Sequence, residues 1–185
     1  MSDSRITHSR VRWITRTAVL VALLVALQWA TAPTQAFAGQ YITGSLVNCV
    51  LAVSVLFGGL WSGVVVALLS PFCAFLLGIG PALIQLVPCI AIGNTVYVLL
   101  LWVLIGRKQS VLWQRLLSVT LAATAKFLTL YVAVVKVVIP VMGDALKAPQ
   151  VQKFTIMFSW PQLITALVGG MLAMMLLPLL KKAMK

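Results

Sequence analysis

The chain has 185 residues, of which 62% are hydrophobic and 9% charged, and its mean hydropathy is +1.10. An average soluble domain has about 25% charged residues, so this composition excludes an ordinary water-soluble fold. The net charge of +12 would suit a nucleic-acid-binding protein, but the basic residues cluster at the ends of apolar segments and form no continuous basic surface. We therefore expect one all-α integral membrane domain over residues 1–185 and no nucleic acid partner.

Six apolar segments follow a short basic tail at 1–13. A helix needs about 20 apolar residues to cross a bilayer. The predicted spans are 14–32, 45–58, 60–79, 81–105, 114–140 and 160–180. Glycine-rich turns near 58–63 and 78–81 predict that the second, third and fourth helices are tight antiparallel neighbours. The two long connections are 31–43 and 142–159.

The basic residues predict the orientation of these spans. With six crossings, most of them fall on one side, and the positive-inside rule makes that side cytoplasmic. Both termini are then cytoplasmic. We expect the first helix to stay uncleaved, because further spans follow it and Ala36-Phe37-Ala38 is a weak cleavage signal. The residues on the cytoplasmic side are Arg5, Arg10, Arg12, Arg16, Arg107, Lys108, Arg115, Lys181, Lys182 and Lys185.

The sequence offers few groups for catalysis or metal binding. The only acidic residues are Asp3 and Asp144, and the one histidine, His8, lies in the basic tail. The three cysteines lie within predicted spans at spacings that fit neither a disulfide framework nor a metal site. We expect no enzyme, no catalytic residue, no cofactor and no metal. There is also no G-x-x-x-x-G-K-[ST] phosphate loop, so active uptake would need an ATPase in trans.

Lys126 is the most informative residue of the chain, because it lies mid-way along the fifth span. A cation near the bilayer centre costs about 2.5–3.5 kcal/mol on insertion scales and normally faces a polar cavity or a ligand path. Polar residues in the outer halves of the other spans could line the same cavity. The predicted substrate-binding residues are Lys126, Asn94, Asn48, Gln85, Trp160, Gln162, Lys136 and Gln28.

Several of these residues have a second interpretation. Asn48 and Asn94 could bridge helices by hydrogen bonds. Lys136 could extend to the headgroups, and Trp160 could belong to the interfacial aromatic belt. Lys126 is too deep to reach the headgroups easily and has no acidic partner in any span.

The first helix carries a smooth face of alanines spaced by four residues, Ala18, Ala22, Ala26 and Ala30. Small residues at this spacing let another helix approach closely, where van der Waals packing drives association. The face could pack inside this domain, or it could be the docking surface for a separate protein.

The chain resembles the substrate-binding S components of energy-coupling factor (ECF) transporters, which take up vitamins and related micronutrients in prokaryotes. The resemblance covers nearly the whole chain: its length, its six spans, its basic amino terminus, the alanine ladder and short motifs in four later helices. These motifs are Gly44-Ser45-Leu46-Val47-Asn48, Gly93-Asn94 with Tyr97, Ala125-Lys126-Phe127, and Trp160-Pro161-Gln162 followed by Thr165-Ala166 and Gly169-Gly170.

This resemblance implies a prokaryotic cytoplasmic membrane protein that binds its substrate tightly in a pocket open to the outside. It also implies partners: membrane lipid around the domain, a transmembrane T component and two ATPases, with Ala18, Ala22 and Ala26 as the docking face. An unpaired Lys126 favours an anionic vitamin or vitamin precursor. Two other functions stay open: a six-helix scaffolding protein that binds no small molecule, and a solitary secondary carrier that works without ATPases.

Overall fold

The structure is a computed structural model of the chain and describes residues 2–36, 39–81, 83–106 and 112–183. Several residues that carry the predicted sidedness lie outside the described part. Arg107, Lys108 and Lys185 are among them. Residues 37 and 38 of the weak cleavage signal also lie outside the described part. The side chains of Asp3, Arg5, His8, Asp144 and Lys181 also lie outside it.

Helices make up nearly all of the described chain, as the composition predicts, and no strand occurs in that part. The bundle begins with α1 (Ser2–Thr31), a 3₁₀ turn (Ala32–Ala36), α2 (Gly39–Gly58), α3 (Leu60–Leu76) and α4 (Leu86–Leu101), which continues as a π-helical segment (Trp102–Gly106). It ends with α5 (Leu112–Leu130), a second π-helical segment (Tyr131–Val138), α6 (Ile139–Met142), a 3₁₀ turn (Gly143–Ala145), α7 (Ala148–Met157) and α8 (Trp160–Ala183).

Five helical stretches in the described residues are long and apolar enough to cross a membrane. They are Arg10–Thr34, Gln40–Gly58, Leu86–Ile105, Leu112–Met142 and Ala148–Leu180. The last stretch combines α7 and α8, which are separate helices around a bend at Phe158 and Ser159. The sixth predicted span corresponds to α3, which is apolar but has only 17 residues. Six bundle helices are therefore present, and five of them meet the length of a membrane span.

The start of the fourth predicted span is not α-helical at Pro81 or at residues 83–85. Residues 77–81 and 83–85 form turns or irregular structure, with Gly78 at a φ of +68°, and α4 begins at Leu86. This start places Pro88 in the first turn of the helix, where the missing backbone N–H removes no intrahelical hydrogen bond. A helix begun at residue 81 would have placed Pro88 in its interior.

Two other segments contain more helix than the sequence predicts. The connection expected at 31–43 is shorter, since α2 already begins at Gly39. The connection expected at 142–159 contains α7, which the sequence did not suggest. Phe154 of α7 and the following Phe158 are buried in a small apolar cluster against Leu86, Leu130 and Val134. This cluster fixes α7 across one end of α4 and α5.

The close approach of α2 and α8 depends on Gly169. A Cβ atom at this position would lie 2.5 Å from the carbonyl oxygen of Ser45 and 2.6 Å from the Cβ atom of Asn48. Only glycine lets the two backbones pass at this distance, and in membranes such close packing itself drives helix association. Gly169 therefore determines how far Asn48 extends into the bundle.

The two ends of the bundle differ in character. Arg16, midway along α1, lines one groove together with Phe57 at the end of α2 and Leu180 near the end of α8. The amino-terminal half of α1 and the carboxyl end of α8 therefore lie toward the same end of the bundle. The hydroxyls of Thr17 and Ser62 share a hydrogen bond of 2.8 Å toward this end. The turns at 32–36, 77–81 and 83–85, together with α7, lie at the other end.

Candidate functional site

Lys126 lies close to the midpoint of the apolar stretch Leu112–Met142 and is only 3% exposed. Its Nζ atom donates hydrogen bonds to two amide oxygens from different helices, Asn48 Oδ1 of α2 at 2.5 Å and Asn94 Oδ1 of α4 at 2.7 Å. Three helices thus meet at one ammonium group. Asn48 and Asn94 therefore bridge helices, as one of their two interpretations predicts, and their role in substrate binding stays a prediction.

The orientation of both amides follows from their second partners. Asn48 Nδ2 donates to the carbonyl oxygen of Gly44 at 2.8 Å, and Asn94 Nδ2 donates to the carbonyl oxygen of Ala67 at 3.5 Å. A backbone carbonyl can only accept a hydrogen bond, so each amide nitrogen faces a carbonyl and each amide oxygen faces Lys126. The two dipoles stabilise the positive charge without any carboxylate.

An aromatic ring lies beside the same cation. Tyr97 is fully buried one turn along α4 from Asn94, and the centroid of its ring is 5.6 Å from Lys126 Nζ, within the range of a cation–π contact. Its hydroxyl donates to the carbonyl oxygen of Ala166 in α8 at 2.9 Å. Sequence reasoning noted Tyr97 only as part of a motif, although the i, i+3 spacing from Asn94 places both residues on one face of α4.

A cavity of about 140 Å³ extends from Lys126 toward the end of the bundle that carries the turns and α7. Five of the eight predicted binding residues line it: Gln28, Asn48, Asn94, Lys126 and Gln162. Residues that were not predicted to bind the substrate complete the wall; they are Thr43, Gly44, Val47, Ser70, Pro71, Ala74, Ile79, Gly80, Pro81 and Ile90.

A second compartment of about 130 Å³ continues the cavity toward the bundle end. The two compartments share wall residues, namely Thr43, Gly44, Ile79, Pro81, Ile90 and Gln162. At its far side, Gln40 and Gln162 both donate to the carbonyl oxygen of Met157 at the end of α7, at 2.7 and 3.1 Å. The carboxyl end of α7 therefore lies at the mouth of the cavity.

Gln28 contributes a different feature to the wall. Its side chain is 4% exposed, and its Nε2 donates to the carbonyl oxygen of Ser70 in α3 at 3.4 Å. Its Oε1 is buried and has no hydrogen-bond partner. The Ser70 carbonyl fixes the amide orientation as it does for the two asparagines, so the amide oxygen is the atom left without a partner.

The other three predicted binding residues do not line either compartment. Gln85 is exposed in the turn before α4. Trp160 is 58% exposed, with its ring centroid 6.5 Å from that of Tyr41, as an interfacial aromatic pair would be. Lys136 is exposed, with its ammonium group 5.8 Å from the centroid of the Tyr131 ring.

The predicted alanine face points away from the bundle. Ala18, Ala22 and Ala26 are exposed, whereas Leu24 and Gln28 on the opposite side of α1 are buried. Packing inside this domain therefore does not explain the alanine ladder. A groove of about 440 Å³, lined mainly by apolar residues together with Thr15 and Arg16, runs beside it between α1, α2 and α8.

The described residues contain no cluster of three or more His, Cys, Asp or Glu side chains that could hold a metal ion. The groups that do converge at Lys126 are a cation, amides and an aromatic ring. This set can hold and orient a polar molecule through hydrogen bonds and charge.

A buried cation at the wall of a cavity within a bundle of apolar helices defines a helical membrane protein with an internal polar cavity. Residues 12–181 match the family model described as "ECF transporter, substrate-specific component". No curated protein and no solved structure matches the chain. Because the family match covers nearly the whole chain, this protein belongs to the substrate-specific components of ECF transporters. It is thus a subunit of a transporter and an all-helical, multi-pass membrane protein.

Proposed function

We propose that the chain binds an anionic vitamin, or a related anionic micronutrient, in the cavity at Lys126 and presents it for import into a prokaryotic cell. The observation that carries this proposal is the buried Lys126 ammonium, which has two amide acceptors and no carboxylate partner among the side chains that the structure describes. An ammonium group has three N–H donors, so one remains for a ligand. A carboxylate or another electron-rich oxygen would complete its shell with a charge-assisted hydrogen bond.

The sidedness of the cavity supports capture from outside. The cavity opens toward the bundle end opposite both termini, and most of the basic residues belong to the terminal end. The positive-inside rule then makes the mouth extracellular and both termini cytoplasmic. This topology needs α3 to cross the membrane as well. Its 17 residues are at the lower limit for a membrane helix. Ser62 and Ser70 of α3 lie level with Thr17 and Gln28 of α1, to which they are hydrogen-bonded.

Energy for uptake would come from other subunits: a transmembrane T component and two ATPases. The chain itself has no phosphate-binding loop and no acid within its membrane stretches. The exposed alanines of α1 and the adjacent apolar groove form a smooth surface on which helices of a T component can pack closely. We assign Ala18, Ala22 and Ala26 to this docking face.

The two alternative functions fit the chain less well. A scaffolding protein would have no use for the polar cavity, and a proton-driven carrier needs intramembrane carboxylates, which the membrane stretches of this chain do not contain.

Native mass spectrometry tests the binding site. The wild-type protein, purified gently from its own host, should carry one small acidic molecule per chain. Lys126→Met should lose this molecule, because the anion loses its charged donor, while the ligand-free protein remains folded.

The matched control is Lys153→Met, which removes an exposed lysine of α7 outside the cavity. It should retain the molecule in full. A wild-type protein without any adduct, or a Lys126→Met protein that retains it, contradicts the proposal.

A further inference from the structure

We propose that the side-chain oxygen of Gln28 accepts a hydrogen bond from the substrate. The substrate is then a compact molecule that carries both an anionic group for Lys126 and an N–H or O–H donor for Gln28. This inference rests on the proposed function, since it takes the cavity at Lys126 to be the substrate site.

The first step is the orphaned acceptor. Gln28 Oε1 is buried and unpartnered, and its side chain lines the cavity. A buried acceptor that has given up water without gaining a partner destabilises the folded protein, and natural proteins retain few such groups. A ligand that supplies the missing donor removes this penalty when it binds.

The second step compares the amides of the cavity wall. Asn48, Asn94 and Gln28 each direct their nitrogen to a backbone carbonyl, of Gly44, Ala67 and Ser70 respectively. Lys126 occupies the oxygens of the two asparagines, whereas the buried oxygen of Gln28 stays open. The fourth amide, Gln162, donates to the carbonyl oxygen of Met157 at the mouth. Behind the mouth, the wall therefore offers a cationic donor and a buried neutral acceptor to a ligand.

The third step is the size of the site. The two compartments measure about 140 and 130 Å³, whereas cavities for drug-sized ligands measure about 300–1,000 Å³. The complementary ligand is small and holds its acid and its donor on one short skeleton, as a hydroxy acid or an amido acid does. A bare inorganic anion, or an acid without any N–H or O–H donor, would leave Gln28 unsatisfied.

A chemical double-mutant cycle tests this contact. The probe is the molecule that co-purifies with the wild-type protein, identified by accurate mass and fragmentation, together with an analogue in which its neutral donor is replaced by hydrogen or methyl. Binding of both is measured to the wild type, to Gln28→Met, and to Gln114→Met, a control at an exposed glutamine outside the cavity.

We expect Gln28→Met to weaken binding of the natural molecule by about tenfold or more, because one hydrogen bond and its buried partner are lost, and Gln114→Met to leave it unchanged. The analogue should bind the wild type and Gln28→Met equally. Ligand-free Gln28→Met should unfold at the same temperature as the wild type or higher, since the orphaned acceptor is gone.

The failures of the two proposals are distinguishable. A co-purified molecule without a neutral N–H or O–H donor overturns the role of Gln28 alone, as does full-strength binding to Gln28→Met or a large drop in its unfolding temperature without ligand. A wild-type protein that carries no molecule overturns the proposed function, and the role of Gln28 with it.

Discussion

Lys126 is held in the apolar bundle by two amide oxygens rather than by an acid. Hydrogen bonds to a charged group contribute about 1.5–3 kcal/mol each, and inserting a lysine at the bilayer centre costs about 2.5–3.5 kcal/mol. Two such bonds are therefore large enough to offset the insertion cost. Because dipoles rather than a carboxylate hold the cation, its net charge remains available to an anionic ligand.

This arrangement predicts a coupling between Asn94 and Lys126. Asn94→Leu removes one of the two acceptors and should lower the free energy of unfolding by about 1–3 kcal/mol, since the cation is left with unmet hydrogen-bonding capacity. Adding Lys126→Met should recover most of this loss. Thermal or denaturant unfolding of the ligand-free proteins in detergent measures the cycle, and a double variant less stable than Asn94→Leu alone would contradict it.

At this scale the sequence predicts the polar centre of the site well, because Lys126, Asn48 and Asn94 stand out in apolar surroundings. It includes Lys136 among the candidate residues, with extension to the headgroups as its second interpretation. Lys136 lies within the π-helical segment Tyr131–Val138, whose wider turns depart from the α-helical period, so a regular helical period does not tell which face Lys136 occupies. The orphaned oxygen of Gln28 also depends on tertiary contacts and has no sequence signal.

Among the helices, α1 has two faces with different tasks. Its buried face packs into the bundle through Leu20 and Leu24 and carries Gln28 to the cavity, while its alanine face stays exposed. Spacing by four identified the smooth face, but only the packing of α1 decides which way it points. The proposed substrate site and the proposed docking face thus lie on opposite sides of one helix.

Ala22→Trp tests this separation. The bulky ring should prevent close helix packing at the alanine face and abolish uptake in cells, while substrate binding by the purified protein stays near the wild-type level. Leu121→Trp, at an exposed position of α5, is the control and should preserve both uptake and binding. If Ala22→Trp lost binding but kept uptake, the alanine face would not be the docking surface.

Helix boundaries were predicted best where long apolar runs end in clear signals, as in the start of α8 at Trp160. They were predicted worst where one residue overrides the pattern. α4 begins only at Leu86, which places Pro88 in its first turn. α7 is stabilised by tertiary packing, because Phe154 is buried against Leu86 and Leu130 at the ends of α4 and α5. Neither effect can be read from hydropathy alone.

For the whole molecule, composition is enough to predict an all-helical membrane domain, and the short motifs are enough to indicate the transporter family. The cavity requires the structure, because its walls come from turns and helix ends that are distant in sequence, such as Gln28, Ser70 and Gln162. The close α2–α8 crossing at Gly169 and the position of α7 over the mouth determine its shape. The proposed substrate site rests on that shape together with Lys126, the only buried charged side chain among the described residues.

The most direct measurement of the central claim is an experimental structure of the protein purified from its host with the co-purified molecule still bound. The account predicts ligand density in the cavity, with an acidic oxygen within about 3 Å of Lys126 Nζ, the distance of a charge-assisted hydrogen bond. Density for the molecule in the apolar groove between α1, α2 and α8, or anywhere else outside the cavity, would contradict it.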